Sequence, residues 1–252
     1  MYLNKIILAI IGLLMAGGSC LAAEEEFDYE LNLGSFSKLK VINSVNVVYT
    51  ASTDSAGTGV FRAPKRLADL FIVSNNGGTL RVETLPQATP ERALPTLYLY
   101  SEFLSEAEND ADSTLTIKSV APCPRFKAVQ MGNGRLIIYN LKCTDAEAQL
   151  LTGNGAIILS GQCTNAKYRM VGTGIIQADD LTADYVKCGI LGGGTIGCWP
   201  RFELNVRGIG STKIYYKGNP EVKKRGGGKL FRLDTYNESD YETAEEESGQ
   251  GA

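Results

Sequence analysis

The sequence contains no histidine among its 252 residues. Histidine is the commonest general base in enzymes, and Ser–His and Cys–His nucleophile pairs both require it. Zinc sites that mix cysteine and histidine are excluded for the same reason, and no cysteine spacing is the short pair of an all-cysteine zinc site. We therefore predict no catalytic residues, no cofactor and no zinc.

Basic tracts are missing, and long apolar runs are missing from all but the N-terminus. The formal net charge is −3, and no cluster of Lys and Arg gives the electrostatic footprint of nucleic-acid binding. After residue 23 no stretch supplies the roughly 20 apolar residues of a membrane-spanning helix. We predict no nucleic-acid partner and no transmembrane segment in the mature chain.

The one long apolar run has the layout of a secretory signal peptide. Lys5 precedes the apolar run 6–16, and small residues ending at Ala23 follow it. We predict that residues 1–23 are removed and that the mature chain begins near Glu24. This predicts an exported protein, in the periplasm, at the cell surface or secreted.

A lipoprotein signal is the second interpretation of the same segment. In that case Cys20 would be acylated after cleavage and would anchor the chain to a membrane. The residue three positions earlier is usually leucine-like, whereas here it is Gly17. We therefore rank lipid anchoring below simple cleavage.

A Gly-x-Gly motif returns six times along the second half of the chain. The first glycines of successive motifs are 21, 19, 20, 16 and 18 residues apart. A period near 20 residues is typical of stacked structural repeats. The motifs are Gly132 to Gly134, Gly153 to Gly155, Gly172 to Gly174, Gly192 to Gly194, Gly208 to Gly210 and Gly226 to Gly228.

Apolar and polar residues alternate on both sides of each motif. Val186, Cys188 and Ile190 alternate with Lys187 before one corner, and Ile196 continues the pattern after it. A period of two indicates a strand with one buried face. Such short strands bury that face when coils stack about 4.8 Å apart. We predict an all-β fold, a parallel β-solenoid with coils of about 20 residues, in which the glycines are structural corners.

Offsets from the glycines also predict individual side chains. They place Tyr168 and Phe202 inside the stack. Ala148 and Leu150 have odd offsets in the unit that ends at Gly153, which also has the longest spacing. We interpret the extra residue of that unit as a β-bulge.

The first part of the mature chain lacks the glycine period but contains strand-like runs. Residues 75–78, Asn-Asn-Gly-Gly, suit a tight hairpin turn between two of them. We predict that residues 24–120 begin or cap the solenoid and that 121–233 hold the repeats. Residues 234–252 carry seven carboxylates and almost no aliphatic residue, so we predict a disordered acidic tail.

An opening strand at 36–41, followed by Gly-x-Gly corners and Ile-rich strands, resembles the family called putative auto-transporter adhesin, head GIN domain. Members carry Gly-Ser-Gly or Gly-Asn-Gly corners, which Asn133 and Asn154 match. The other corners have Thr173, Gly193, Ile209 and Gly227 at the middle position. The resemblance covers residues 36–233. It implies a right-handed β-solenoid in the bacterial envelope and defines no catalytic residue.

Carboxylates are the remaining candidates for chemistry. Asp179 and Asp180 form an obvious pair for glycoside hydrolysis, but neighbours on a strand point to opposite faces, so we favour a solvated corner. Carboxylates at alternating positions of residues 106–112 could bind calcium, which prefers oxygen ligands. This segment lacks the glycine and the final glutamate of an EF-hand loop, so we favour a solvated loop. The weak calcium candidates are Glu106, Glu108, Asp110 and Asp112.

Five cysteines follow the signal, and an odd number cannot pair completely within one chain. Cys123, Cys143 and Cys163 are each 20 residues apart and should stack as a ladder. Stacking would bring Cys143 and Cys163 close enough for a disulfide in an oxidising envelope, and a reduced buried ladder fits equally well. Cys188 is expected in the core, and Cys198 in either the core or the ladder.

These patterns predict a non-enzymatic envelope protein whose β-solenoid surface serves adhesion or recognition of a glycan or a protein. Exposed aromatic residues would contribute to such a surface. One alternative is a lyase-like, carbohydrate-active β-solenoid enzyme, which needs Lys, Arg and carboxylates in one groove across adjacent coils. Another is a purely structural envelope component. The aromatic candidates are Tyr139, Tyr168, Tyr185, Trp199, Phe202, Tyr215 and Tyr216.

Overall fold

The computed structural model describes residues 9–11, 24–43, 45–85 and 94–233. These residues form 18 strands and one four-residue helix. The first part contains β1 Ala9–Ile11, β2 Glu26–Asn32, β3 Lys38–Ile42, β4 Val47–Ala51, β5 Thr58–Pro64, α1 Lys65–Ala68, β6 Phe71–Asn76, β7 Thr79–Thr84, β8 Leu97–Ser101, β9 Glu106–Asp110 and β10 Thr114–Ser119. The second part contains β11 Cys123–Met131, β12 Arg135–Leu150, β13 Ala156–Met170, β14 Ile175–Ile190, β15 Thr195–Gly208, β16 Lys213–Lys217, β17 Glu221–Gly226 and β18 Lys229–Leu233.

Strands of successive coils pair in parallel, each directly over the next. β12, β13, β14 and β15 stack in this order, and Leu136 lies opposite Ile157, which in turn lies opposite Ile176. The stack makes about six turns. The predicted all-β, parallel β-solenoid is therefore confirmed. In the described part of the chain, no helix has the length and apolar character needed to cross a membrane.

The core consists of rows of apolar side chains that run along the stack. One row continues through Ile196 to Ile214, and a facing row contains Tyr168, Cys188 and Val206; all are buried. Each buried aliphatic side chain contributes about 1.5–3 kcal/mol relative to exposure. Because each row continues from coil to coil, every coil depends on its neighbours for burial.

The Gly-x-Gly corners stack along one edge of the solenoid. The Gly155 amide donates to the Gly132 carbonyl oxygen at 3.1 Å, and the Ala156 amide donates to that of Gly134 at 3.0 Å. A Cβ on Gly134 would lie 2.2 Å from the Ser113 carbonyl oxygen. The close approach of successive coils therefore excludes a side chain at this corner.

The extra residue before Gly153 lies in the corner and not in the strand. The register of β11 against β12 runs without a break from Arg125 opposite Asp145 to Gln130 opposite Leu150. One residue separates Gln130 from Gly132, whereas two residues separate Leu150 from Gly153. The predicted bulge is therefore wrong, because a turn accommodates an added residue without breaking the ladder.

Phe202 also departs from its predicted place. The corner residue Gly208 lies opposite Ile190 and not opposite Gly192, so offsets counted back from Gly208 are displaced by two residues relative to the preceding coil. Phe202 therefore lies before the buried residues Leu204 and Val206, and 54% of its side chain is exposed. The prediction that Phe202 lies inside is wrong, whereas Tyr168 is buried as predicted.

The first part of the chain mixes solenoid strands with an antiparallel end layer. β3 pairs in parallel with β9, and β4 with β10, so the parallel stacking already includes these strands. β5 pairs antiparallel with β2 and β8, and β6 with β7. The rings of Tyr29, Phe61 and Phe71 pack at 4.9 and 4.8 Å in this layer.

β1 lies within the predicted signal peptide and pairs antiparallel with β2. Removal of residues 1–23 would therefore free one edge of β2. The rest of that segment, including Cys20, and the predicted acidic tail at 234–252 lie outside the described residues. The division of the chain into domains stays a prediction.

Candidate functional site

One flank of the solenoid carries three parallel rows of outward side chains, which we call the charged face. The rows run along the stack through β11, β12, β13, β14, β15 and β17, before the glycine corners. The first row is Arg125, Asp145, Asn165, Tyr185, Glu203 and Glu221; the second is Lys127, Glu147, Lys167, Lys187, Asn205 and Lys223; the third is Val129, Gln149, Arg169, Gly189, Arg207 and Arg225.

The second row begins as an alternating ladder of ion pairs. Lys127 Nζ lies 2.6 Å from the Glu106 carboxylate on the preceding coil. Glu147 accepts from Lys167 Nζ at 2.9 Å and from Arg125 Nη2 at 2.6 Å. Opposite charges on neighbouring strands stabilise a sheet, so this part of the charged face is electrostatically satisfied.

Glu147 is the centre of this ladder, and only 8% of its side chain is exposed. Burial alone would raise the pKa of its carboxyl group. Hydrogen bonds from Lys167, Arg125 and Gln149 outweigh burial and lower the pKa to about 2. Glu147 therefore stays ionised over the whole physiological range and acts as a structural anion.

The alternation ends at Lys187, which lies opposite Lys167 where the ladder would place a carboxylate. Lys187 and Arg169 make no ion pair or side-chain hydrogen bond with any residue in the described ranges. Arg207 Nε donates only to the neutral Asn205, at 3.1 Å. Cations thus accumulate at this end of the charged face without ion pairs, and the described carboxylate that Lys187 attracts is Glu203, whose pKa is lowered mainly by Lys223.

A cleft of about 570 Å³ opens among these cations. Gly189 lies beneath it, and a Cβ at that position would have no heavy atom closer than the Tyr168 carbonyl oxygen at 3.8 Å. The missing side chain therefore leaves a notch between Arg169 and Arg207. Exposed Leu191 adds an apolar wall.

A second cleft of about 380 Å³ shares Lys167 and Lys187 with the first and extends to Arg125 and Tyr185. The two clefts together form what we call the groove, which crosses several coils. Glu203 lies in the first cleft, but Lys223 Nζ is 2.7 Å from its carboxylate. Asp145 and Glu147 line the second cleft, so the groove combines five Lys and Arg residues with three carboxylates on adjacent coils.

The aromatic candidates do not form one strip. Tyr185 is 45% exposed and packs against Phe202 at 6.0 Å beside the groove. Trp199 lies under Lys217 Nζ at 5.5 Å, and Tyr215 stacks on Phe231 at 5.1 Å. Among the exposed aromatic candidates that the structure describes, Tyr185 lines a cationic cleft and Phe202 packs against it, whereas Tyr168 lines the first cleft but is buried.

Three of the four candidate calcium ligands are engaged by other groups. Glu106 and Glu108 form ion pairs with Lys127 and Lys40, respectively. Asp112 Oδ1 accepts from the Asn133 backbone amide at 2.9 Å. In the ranges that the structure describes, no group of three or more Cys, Asp or Glu residues is placed to hold a metal ion. Calcium binding stays a prediction.

The paired aspartates share one cation. Lys217 Nζ lies 3.4 Å from Asp179 and 3.3 Å from Asp180. The pair therefore forms an ion-pair network at the second bend of its coil, away from the groove. This arrangement accords with a structural corner, because both carboxylates of the pair are engaged by Lys217.

The cysteine ladder is present, and its members are free thiols in the structure. Cys123 lies opposite Cys143, and Cys143 lies opposite Cys163. Burial is the main reason that the pKa of Cys143 and of Cys163 is raised to about 12. Cys188 and Cys198 are buried in the core. The predicted disulfide between Cys143 and Cys163 stays a prediction.

The sequence predictions do not include the groove, although the spacing of charged residues in the sequence contains a signal for it. Lys127, Glu147, Lys167 and Lys187 are spaced by 20 residues, so alignment on the repeat predicts their stacking. The sign pattern then breaks at the fourth member. What the repeat does not reveal is the notch, because it depends on a glycine within a strand and not at a corner.

The parallel stack of about six turns, with an open charged groove on its flank, defines a β-solenoid protein. Residues 35–220 match the family described as "Putative auto-transporter adhesin, head GIN domain", and the chain belongs to this family. The resemblance noted in the sequence is thereby confirmed. A search of curated proteins gives no match.

Among the solved structures that are similar to this chain, three match it over 84% of its length and 98% of theirs. A putative adhesin from Bacteroides fragilis NCTC 9343 is 21% identical, with a TM-score of 0.73. A putative adhesin from Parabacteroides merdae ATCC 43184 is 17% identical, with a TM-score of 0.65. A protein from Parabacteroides distasonis ATCC 8503, described as a putative lipid binding protein, is 18% identical, with a TM-score of 0.64.

Proposed function

We propose that this chain is an exported, non-enzymatic envelope protein that recognises a glycan or a protein through the charged face of its solenoid. The observation that carries the proposal is the groove, in which Arg169 and Lys187 form no ion pair with any described residue. The sheet fixes the backbone positions of these residues before a ligand arrives, so binding needs to order only their side chains. Membership of an adhesin family supports the same role.

Export is part of this proposal. The signal-like segment at residues 1–23 supports secretion to the periplasm or the cell surface. Anchoring through acylated Cys20 is the second arrangement. Mass spectrometry of the mature N-terminus separates the two, because simple cleavage leaves an unmodified start near Glu24, whereas a lipoprotein begins with a diacylated cysteine.

A carbohydrate-active enzyme is the second candidate function. Such an enzyme needs Lys, Arg and carboxylates in one groove across adjacent coils, and the groove contains all three. Lys187, Arg169 and Glu203 converge across adjacent coils. A lyase needs a proton-accepting group beside the bound sugar acid. Glu203, the carboxylate of the first cleft, is already paired with Lys223. The pairing of Glu203 supports binding over catalysis.

The test is a screen of the mature chain from Glu24 against glycans, polysaccharides and envelope proteins, with and without calcium. We expect saturable binding with no shortening of the polysaccharide. Cleavage would establish the enzymatic alternative. Absence of any binding would favour the structural role, and calcium-dependent binding would revive the carboxylates at Glu106 to Asp112 as ligands.

A further inference from the structure

We propose that the groove binds an acidic polysaccharide, with its carboxylate groups on Arg169, Lys187 and Arg207 and a sugar ring on the Tyr185–Phe202 pair. This inference rests on the proposed recognition function and names its ligand class. It places the binding site on β13, β14 and β15. The ligand runs along the stack, across the coils.

The first argument is that Arg169 and Lys187 form no ion pair within the described part of the fold, and that Lys187 has only a longer-range attraction to Glu203. Like charges directly opposite on neighbouring strands destabilise a sheet, and Lys167 and Lys187 are such a pair. A carboxylate at position 187 would instead continue the ladder that Glu106 and Glu147 maintain on the preceding coils. An anionic ligand supplies the missing negative charge and relieves the repulsion.

The second argument is geometric. Arg169 and Arg207 flank Gly189 in one row, on strands separated by one intervening strand. Strand spacing places their backbones about 10 Å apart along the stack. The planar guanidinium groups can each bind a carboxylate with two hydrogen bonds. The notch at Gly189 leaves room between them, so a chain with regularly spaced carboxylates can contact both.

The third argument selects a saccharide among polyanions. An exposed aromatic pair borders the cations, and aromatic faces pack well against the apolar faces of sugar rings. The groove is open along the coils and therefore suits an extended chain, whereas a lipid tail needs an enclosed apolar pocket.

The test measures binding of the mature full-length chain to polygalacturonate by calorimetry, with a neutral glucan as the comparison polymer. Lys187→Glu is the central variant, because it extends the ion-pair ladder while it reverses the charge in the groove. We expect at least about tenfold weaker binding together with an unchanged or higher melting temperature. Lys187→Gln provides a second variant that removes the charge without reversing it.

The matched control is Lys213→Glu, which makes the same charge change near the same end of the stack but on another flank. We expect binding within about twofold of the unaltered chain. Tyr185→Ala tests the sugar-stacking contact, and we expect weaker binding to polygalacturonate but an unchanged melting temperature within about 2 °C.

Three outcomes would overturn the inference. If the chain binds a neutral glycan or a protein, and the Lys187→Glu variant binds it equally well, the ligand class and the site are wrong but the proposed function stands. Failure to bind any glycan or envelope protein would sink both. Equal, Lys187-dependent binding to vesicles of phosphatidylglycerol would replace the polysaccharide with a phosphate-bearing membrane. Cleavage of polygalacturonate would support the ligand class and overturn only the non-enzymatic role.

Discussion

Glu147 shows how individual side chains hold the charged face together. It lies almost buried between three donors on the charged face. A paired carboxylate with a depressed pKa stabilises the folded state above the pKa of the unfolded chain, and this contribution is lost as the pH falls toward the folded value. The ladder is therefore a source of stability with a defined pH range.

We predict that Glu147→Gln lowers the free energy of unfolding by about 2 kcal/mol at pH 7, because Arg125 and Lys167 lose their charged acceptor. The difference from the unaltered chain should shrink as the pH falls below 4.5 and vanish near pH 2. Urea unfolding at a series of pH values measures it.

Glu221→Gln is the matched control for this experiment. Its carboxylate is 69% exposed and lies 3.3 Å from Lys223. Exposed pairs contribute little, so we expect a change within about 0.5 kcal/mol at all pH values. Equal effects of the two substitutions, or a Glu147→Gln effect that does not depend on pH, would contradict the role given to Glu147.

At the scale of the element, the corner glycines set how closely coils approach. Gly134→Ala would place a Cβ 2.2 Å from the Ser113 carbonyl oxygen and 2.3 Å from that of Ala111. Both are backbone atoms, which cannot rotate away. We predict a loss of at least about 2 kcal/mol of stability, measured by chemical denaturation.

Gly189→Ala is the contrasting substitution within a strand. The added methyl group would meet no atom closer than 3.8 Å. Because alanine restricts the unfolded chain more than glycine does, we expect stability to be unchanged or to rise by up to about 1 kcal/mol. A severe loss at Gly189, or tolerance at Gly134, would refute the assignment of corners and notch.

The strands also show which parts of the fold can be predicted from the sequence. The period of the glycines and the alternation around them predict the coils and the inward place of Tyr168 and Cys188. Prediction fails at Phe202, because Gly208 lies opposite Ile190 and not opposite Gly192, so offsets counted from Gly208 are two residues out of register with the preceding coil. The antiparallel pairing of β2, β5 and β8 was likewise invisible, because contacts distant in sequence leave no local period.

At the scale of the whole molecule, the two ends of the stack differ. β2 and β5 cover one end with packed aromatic rings, whereas every residue of β17 is exposed. Lys224 lies on the inward row of β17, opposite Val206. A charged side chain at the open end discourages further strand stacking and so protects the protein from end-to-end association.

We predict that protection from hydrogen exchange falls along the stack. Amides of β12, β13 and β14 have a coil on each side and should exchange only through global unfolding. Amides of β17 and β18 should exchange at least about tenfold faster. Those of β2 and β5 should resemble the middle coils, and uniform protection from β12 to β18 would contradict a stack that opens at this end.

The most direct test of the central claim is to map the ligand site on the mature chain by backbone NMR during titration with an acidic oligogalacturonate. We predict saturable chemical-shift changes centred on the amides of Arg169, Gly189 and Arg207, and their loss in the Lys187→Glu variant. Changes centred instead on the flank of Tyr215 and Phe231, or at the glycine corners, would show that the groove is not the binding site.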